Sequence, residues 1–350
     1  MRGRRIFAIH SILGLITGIL LLVISLSGCI LVFHEEIDKA LNPPLLCVKP
    51  GQHKTSLDKI FQSASHQFPG SYIRFRHLPS NPEASIELSV QKQSVWIFAY
   101  YNLYTGDFLG SRNARNYFLG WLLGLHYGLL AGPTGELLVG ILSVCLLLSL
   151  LTGVYVYRKH LLNVLMFRIT FKFSNWRKAS SSLHRIIGVW SLLFNLMFAV
   201  TGFWMLRYVF QPSTYQATVE PKSLNYPVSV SLDSVVKTAE TTFDGFKVSG
   251  IHLPKTKEES INIIGAVSTQ NMLYGEHANS IEFDPLTGKE LSRVDVTKQS
   301  AYDKWDSIVF TLHSGLFGNI IVKLIYCMAG LSPSLLSITG FLLWLRRRRR

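Results

Sequence analysis

Charge is what this sequence is short of. Only 16% of its 350 residues are Asp, Glu, Lys or Arg, against about 25% in an ordinary soluble domain, and the mean hydropathy is positive at +0.27. A soluble enzyme, a disordered chain and a collagen-like chain are all disfavoured. Acidic residues are scarcest, 21 against 35 basic ones, an excess that suggests a nucleic-acid partner until the basic residues are placed. Segments 1–5, 158–185 and 346–350 hold 3, 7 and 5 Lys/Arg with no Asp or Glu, which leaves 20 basic against 21 acidic residues elsewhere. The net charge of +14 thus flanks apolar runs, and no nucleic-acid partner is expected. Cysteine is sparse as well. Cys29, Cys145 and Cys327 lie within apolar runs and only Cys47 outside them, so no disulfide framework is implied. The sequence also lacks a Cys-x2-Cys pair, an acidic calcium loop, a Gly-x-Gly-x2-Gly turn and a Walker loop. Zinc, calcium, nicotinamide, flavin and ATP are therefore not expected ligands.

Long apolar runs are what it has instead. Four of them, 6–33, 134–157, 186–208 and 320–345, reach the roughly 20 residues that a helix needs to cross a bilayer. The positive-inside rule puts Arg2, Arg4 and Arg5, the 158–185 loop and the 346–350 tail in the cytoplasm. Both termini are then inside, and segments 34–118 and 209–305 lie on the outer face. Leu26-Ser27-Gly28-Cys29 after an apolar stretch imitates a lipoprotein signal, but the run continues through Ile30, Leu31, Val32 and Phe33 and reads better as a retained helix.

The chain is internally duplicated. His10-x3-Gly14 recurs as His184-x3-Gly188, and Ser27-Gly28 sits at the same offset from its histidine as Thr201-Gly202. Ser56-Leu57-Asp58 matches Ser231-Leu232-Asp233, and His77-Leu78-Pro79 matches His252-Leu253-Pro254. Thr105-Gly106 matches Thr287-Gly288, His126-x-Gly128-Leu129 matches His313-x-Gly315-Leu316, and Thr152-Gly153 matches Thr339-Gly340. Within each outer segment Ser56 and Ser231 are expected to cap a helix. The period-two run Ile86–Val90 and the turns at 101–107 and 283–289 predict strands and hairpins after it. His77 and His252 read as markers of the repeated fold rather than as metal or substrate contacts.

With these residues the whole chain resembles the PepSY-associated transmembrane helix proteins. The resemblance implies a bacterial inner-membrane protein of iron uptake, related to haem-containing reductases of ferric siderophores. The expected fold class is an α-helical membrane protein with four transmembrane helices in two tandem repeats, each repeat enclosing a small α+β PepSY-like outer domain. Its expected parts are helix 1 (1–33), a first periplasmic domain (34–118), an interfacial segment with helix 2 (119–157), a basic cytoplasmic loop (158–185), helix 3 (186–208), a second periplasmic domain (209–305), and an interfacial segment with helix 4 and basic tail (306–350).

Five histidines stand at or near the membrane edges: His10 and His184 on the cytoplasmic side, His34, His126 and His313 on the outer side. A lone interfacial histidine is ordinarily an anchor, but equivalent histidines on pseudo-symmetric helices can approach one iron from opposite faces. His10 lies 24 residues from His34, about 36 Å of helix, so the two sides cannot share an iron. Two haems b are expected, with His10 and His184 as axial ligands of one and His126 and His313 of the other. His34 competes for the outer site, although its repeat position is Tyr208. Glu136 and Lys323, at equal offsets from His126 and His313, read as an interhelical salt bridge before propionate anchors. Gly14, Gly28, Gly188 and Gly202 read as packing residues.

The expected function is di-haem electron transfer to a ferric siderophore or other ferric chelate in the periplasm. Electrons would come from quinol or from a separate cytoplasmic reductase. The alternative is a non-catalytic membrane regulator or assembly factor that binds a protein partner. Four spans in a parallel duplication are too few for the familiar transporter cores.

Overall fold

The computed structural model describes residues 2–169, 171, 175–215 and 224–348. Parts of the basic loop (170, 172–174), of the second outer segment (216–223) and of the basic tail (349–350) lie outside the described residues. The first repeat runs α1 (Arg2–Leu31), α2 (His34–Leu41), α3 (Pro43–Leu46), α4 (Leu57–Gln67), β1 (Tyr72–His77), β2 (Ile86–Lys92), β3 (Val95–Tyr101), β4 (Phe108–Asn113), α5 (Phe118–Gly128) and α6 (Gly132–Tyr157). After the short α7 (Leu161–Leu165), the second runs α8 (Trp176–Trp190), α9 (Leu192–Met205), α10 (Leu232–Thr242), β5 (Phe246–His252), β6 (Ile261–Val267), β7 (Asn279–Phe283), β8 (Glu290–Val294), α11 (Ala301–Ser314), α12 (Ile320–Gly330) and α13 (Ser332–Arg348). The duplication seen in the sequence is therefore a duplication of elements.

Two compact units form. The first holds residues 1–33, 121–216 and 312–350, and the second holds 34–120 and 217–311. In the first, α1 packs on α6 and α13, α6 on α9, and α8 on α13, so each repeat contributes half of a helix bundle. Among the described residues three helical stretches are long and apolar enough to cross a membrane, Gly3–Leu31, Gly132–Tyr157 and Ile320–Leu345, and a fourth span results if α8 and α9 are taken together. Ile9, Ile12, Ile16 and Ile19 of α1 stand exposed at helical spacing, a face that suits lipid and would be a large apolar patch in water.

The expected third span, 186–208, is not a straight helix. α8 begins ten residues earlier, capped by Asn175 Oδ1 accepting from Lys178 N at 2.9 Å, and meets α9 at 64°. No proline causes the bend. A polar chain does: Ser191 Oγ donates to Ile187 O (2.7 Å), Asn195 Nδ2 donates to Ser191 Oγ (2.9 Å), and Ser332 Oγ donates to Asn195 Oδ1 (3.1 Å). Asn195 is fully buried, and a polar side chain inserted at a serine is a recognised origin of helix kinks.

The second unit corrects the expected fold class. Its strands do not make two separate α+β domains; they form one eight-stranded sheet in the order β4-β3-β2-β1-β5-β6-β7-β8. The joint is antiparallel pairing of β1 with β5 at Phe75 and Ile251, extended by Leu78 N donating to Ser249 O at 2.8 Å. Two separate domains would each have left the first strand of the repeat as an open edge, and pairing the two edges removes that liability. The core is also shared, for Leu57, Ile60 and Ala64 of α4 and Leu232, Val235 and Ala239 of α10 belong to a single cluster over the sheet.

Ser56 and Ser231 do cap their helices, each accepting from a backbone N–H of the first turn. The aspartates of the two Ser-Leu-Asp triplets then cross over. Asp233 accepts from Ser56 Oγ (2.5 Å) and Leu57 N (3.0 Å), while Asp58 accepts from Ser231 Oγ (2.5 Å) and Leu232 N (2.8 Å). Each repeat thus completes the other's helix N-terminus, where a carboxylate also suits the helix dipole. The expected hairpins are present, with Gly106 (φ +78) and Gly288 (φ +69) supplying the left-handed turn residues after β3 and β7.

A buried ion pair ties α2 to the sheet edge. Arg112 grips Asp38 with two N–H donors, one at 2.7 Å, and its guanidinium stacks on Tyr117 at 3.8 Å. Burial alone would raise the Asp38 pKa, but the hydrogen bonds and charge of Arg112, with Asn42, outweigh it and hold the carboxyl below its ordinary value. A depressed native pKa means that this stabilisation is complete above the unfolded value near 3.9 and is lost as pH falls through the native one. Asp38→Ala, which strands the guanidinium, is expected to cost about 3–5 kcal/mol. Denaturant unfolding at pH 7 measures it, and the gap from wild type should narrow on acidification.

Candidate functional site

Four of the five singled-out histidines come together in two pairs within the helical unit. His10 on α1 faces His184 on α8, with ring centres 6.3 Å apart and planes at 81°. His126 on α5 faces His313 on α11, with ring centres 6.2 Å apart and planes at 59°. Each pair takes one histidine from each repeat. His34 starts α2 in the other unit, beside Glu35 and Asp38 of its own helix.

Every one of the four rings is held by the same device, a small hydroxyl residue followed by glycine on a spanning helix of its own repeat. His10 Nδ1 lies 3.0 Å from Ser149 O and 3.2 Å from Thr152 Oγ1. His184 Nδ1 lies 2.9 Å from Thr339 Oγ1. His126 Nδ1 lies 2.9 Å from Ile24 O and 3.2 Å from Ser27 Oγ, and His313 Nδ1 lies 2.7 Å from Thr201 Oγ1. The glycine beside each hydroxyl receives the ring edge. A Cβ on Gly153, Gly340, Gly28 or Gly202 would stand 3.2, 3.4, 2.8 or 3.6 Å from the Cε1 of His10, His184, His126 or His313, respectively.

These bonds fix the tautomer. A carbonyl only accepts, so Nδ1 of His10 and His126 carries the proton. Thr339 and Thr201 spend their own protons on Leu335 O (2.7 Å) and Met197 O (2.6 Å), so they too accept from Nδ1–H. In all four rings Nε2 is left with its lone pair, and among the described residues no hydrogen bond reaches it. An imidazole whose Nδ1–H is anchored and whose Nε2 is bare has the form that could ligate a metal through Nε2. No three His, Cys, Asp or Glu side chains gather in a metal-holding group among the described residues; each pair brings two imidazoles together.

Local backbone explains the placement. α5 ends before the spanning α6 because Leu129 (φ +48), Leu130 (φ +60) and Gly132 (φ +57) turn the chain in the left-handed region, and Gly315 (φ +73) ends α11 likewise. His126 and His313 therefore sit on helices separate from the spans that follow. Phe198 packs edge-on against His313 at 5.5 Å, and Tyr326, whose hydroxyl donates to Leu312 O at 2.9 Å, backs Phe198 at 6.0 Å. The expected Glu136–Lys323 bridge is not among the salt bridges of the described residues; Glu136 accepts from the Tyr208 hydroxyl at 2.6 Å.

Two of the glycines read as packing residues, Gly28 and Gly202, are ring seats, whereas Gly14 has no neighbour within 4 Å and Gly188 meets only Leu336. The signal for the seats was in the sequence: four hydroxyl-glycine pairs, at repeat-equivalent positions, for four repeat-equivalent histidines. No curated protein matches the chain. The family model of the PepSY-associated TM region matches residues 7–347, nearly the whole length, and the chain belongs to that family.

Proposed function

We propose that this membrane protein binds two haems, one between His10 and His184 and one between His126 and His313, and carries electrons across the bilayer to a ferric chelate such as a siderophore. The observation that carries the proposal is the spacing of the rings. An imidazole nitrogen sits about 2.0 Å from a metal it ligates and the ring centre a little over 1 Å beyond, so two imidazoles that would hold one iron between them need centres no more than about 6.4 Å apart. The two pairs, at 6.3 and 6.2 Å, are within that distance. Haem, when bound, supplies one-electron chemistry.

The chain's own residues do the rest. Thr152, Thr339, Ser27 and Thr201 hold the Nδ1 protons and so aim the Nε2 lone pairs. Gly153, Gly340, Gly28 and Gly202 let the rings lie against the helices. The basic flanks support an orientation with the His10–His184 pair toward the cytoplasm, nearest a quinol or reductase donor, and the other pair toward the periplasm. The first test is colour. Protein purified from haem-replete cells is expected to show a reducible b-type Soret band and two haems per chain. A ratio near one removes one pair, and colourless protein overturns the proposal.

A further inference from the structure

The face of the sheet opposite α4 and α10 carries a polar row that neither the packing nor the histidine pairs use. Phe75 and Ile251, in register across the β1–β5 seam, both point into the core. Their neighbours Arg74 and His252 therefore emerge side by side on the other face, where Arg74 Nη1 lies 3.4 Å from His252 Nε2. His252 is in turn in register with Asn262 on β6. A guanidinium, an imidazole and a carboxamide stand in line at the centre of the sheet.

Much of their hydrogen-bonding capacity is unspent. Arg74 has no carboxylate partner among the described residues; it faces His252, lies over the Trp96 ring 5.2 Å from its centre, has Tyr72, Arg76 and His277 near it, and its Nε is buried without a bond. Asn262 Oδ1 is also buried and unbonded. A half-buried cation without a counter-ion and a buried carboxamide oxygen without a donor are both costly. The fold does not require them, since the repeat-equivalent positions of Arg74 and Asn262 are Ser249 and Glu87. The nearby acids are engaged: Glu87 with Arg76, Glu259 with Lys255 N, and Glu276 beside His77. Burial, with Arg74 and His277 beside it, lowers His252 to about 4, so the imidazole is neutral and the row's charge is that of Arg74.

We propose that Arg74, His252 and Asn262 form a binding site for a small carboxylate-bearing anion. Trp96 lies over one face of the guanidinium and Nη1 faces His252, which leaves the unbonded Nε with Nη2 as the pair of N–H groups that would match the two oxygens of a carboxylate. The unbonded Asn262 Oδ1 is an acceptor and suits a hydroxyl of the ligand, while Asn262 Nδ2 and the N–H of His252 can donate to a second carboxylate. Citrate-type iron chelators have this chemistry. That they are the ligand rests on the proposed function, whereas the carboxylate site does not.

Calorimetric titration of the purified full-length protein with citrate, gallium citrate and inorganic phosphate tests the site, gallium serving because it is not reduced. Wild type should bind citrate or its gallium complex, and phosphate far more weakly. Arg74→Gln and, separately, Asn262→Leu should each weaken carboxylate binding about tenfold or more, with the Soret band unchanged. Asn262→Leu keeps the test informative if Arg74→Gln fails to fold. No carboxylate binding by wild type, equal affinity in the variants, or phosphate bound as tightly as citrate overturns the site. A colourless protein that still binds citrate through Arg74 upholds the site and removes the proposed function.

Discussion

His184→Ala is expected to halve the haem content, from two per chain to one, and to stop reduction by the cytoplasmic donor while a chemical reductant still reduces what remains. The separation follows from the geometry. His184 is seated on Thr339-Gly340, and the other pair is seated on Ser27-Gly28 and Thr201-Gly202, so the two sites share no residue. Along α1 the seat at Ser27 is 17 residues from His10, about 25 Å of helix. His313→Ala should give the converse result: one haem, still reduced by the physiological donor, with transfer to an external ferric chelate lost. A pyridine haemochrome assay with rapid-mixing reduction reads both variants. His160→Ala, in the basic loop, is the control and should change neither spectrum. Loss of both haems from either variant would mean that the pairs are not independent. Loss of the second haem in His34→Ala, with His126→Ala sparing it, would assign the iron to an asymmetric pair.

The second large effect is a contrast between two equivalent glycines. A methyl group on Gly28 would stand 2.8 Å from His126 Cε1, closer than non-bonded carbons tolerate, and the ring must move several tenths of an ångström or more. On Gly202 the same methyl group would meet His313 Cε1 at an ordinary 3.6 Å and the Ser143 hydroxyl at 3.3 Å. Gly28→Ala is therefore expected to displace His126 from its partner and lose most of the second haem, whereas Gly202→Ala should retain it. Haem-to-protein ratios of the two variants decide the matter. Equal retention would show that the ring edge does not rest on the helix as described.

Much of the site was legible because duplication turns weak local signals into strong ones. One interfacial histidine says little, but His10 and His184, or His126 and His313, at matched offsets from matched spans, name their own partners. Thr152-Gly153 and its three counterparts were visible as repeat markers, yet nothing in a linear pattern says that a hydroxyl on one helix holds the Nδ1 of a ring on another. The strands and helix caps of each outer segment followed from periodicity and from Ser56 and Ser231. The single sheet did not, because an edge strand and a central strand with the alternation of Ile73, Phe75 and their counterparts look the same before their neighbours are known. The bend at Ser191 was hidden for a similar reason, since its cause includes Ser332, 141 positions away.

The crossed aspartates have a meaning beyond stability. The seam formed by β1 with β5, and by Asp58 and Asp233 each capping the opposite helix, has the isologous form of a two-fold homodimer interface, in which one patch meets its own copy. A chain of one repeat would complete its helix caps, its sheet and both histidine pairs by associating with a second identical chain. Joining two copies into one polypeptide makes that association independent of concentration and releases equivalent positions to diverge. His34 against Tyr208, Glu136 against Lys323, and Arg74 against Ser249 are positions at which the two repeats differ: a strictly symmetric dimer would present the same face twice, and this chain presents two different ones.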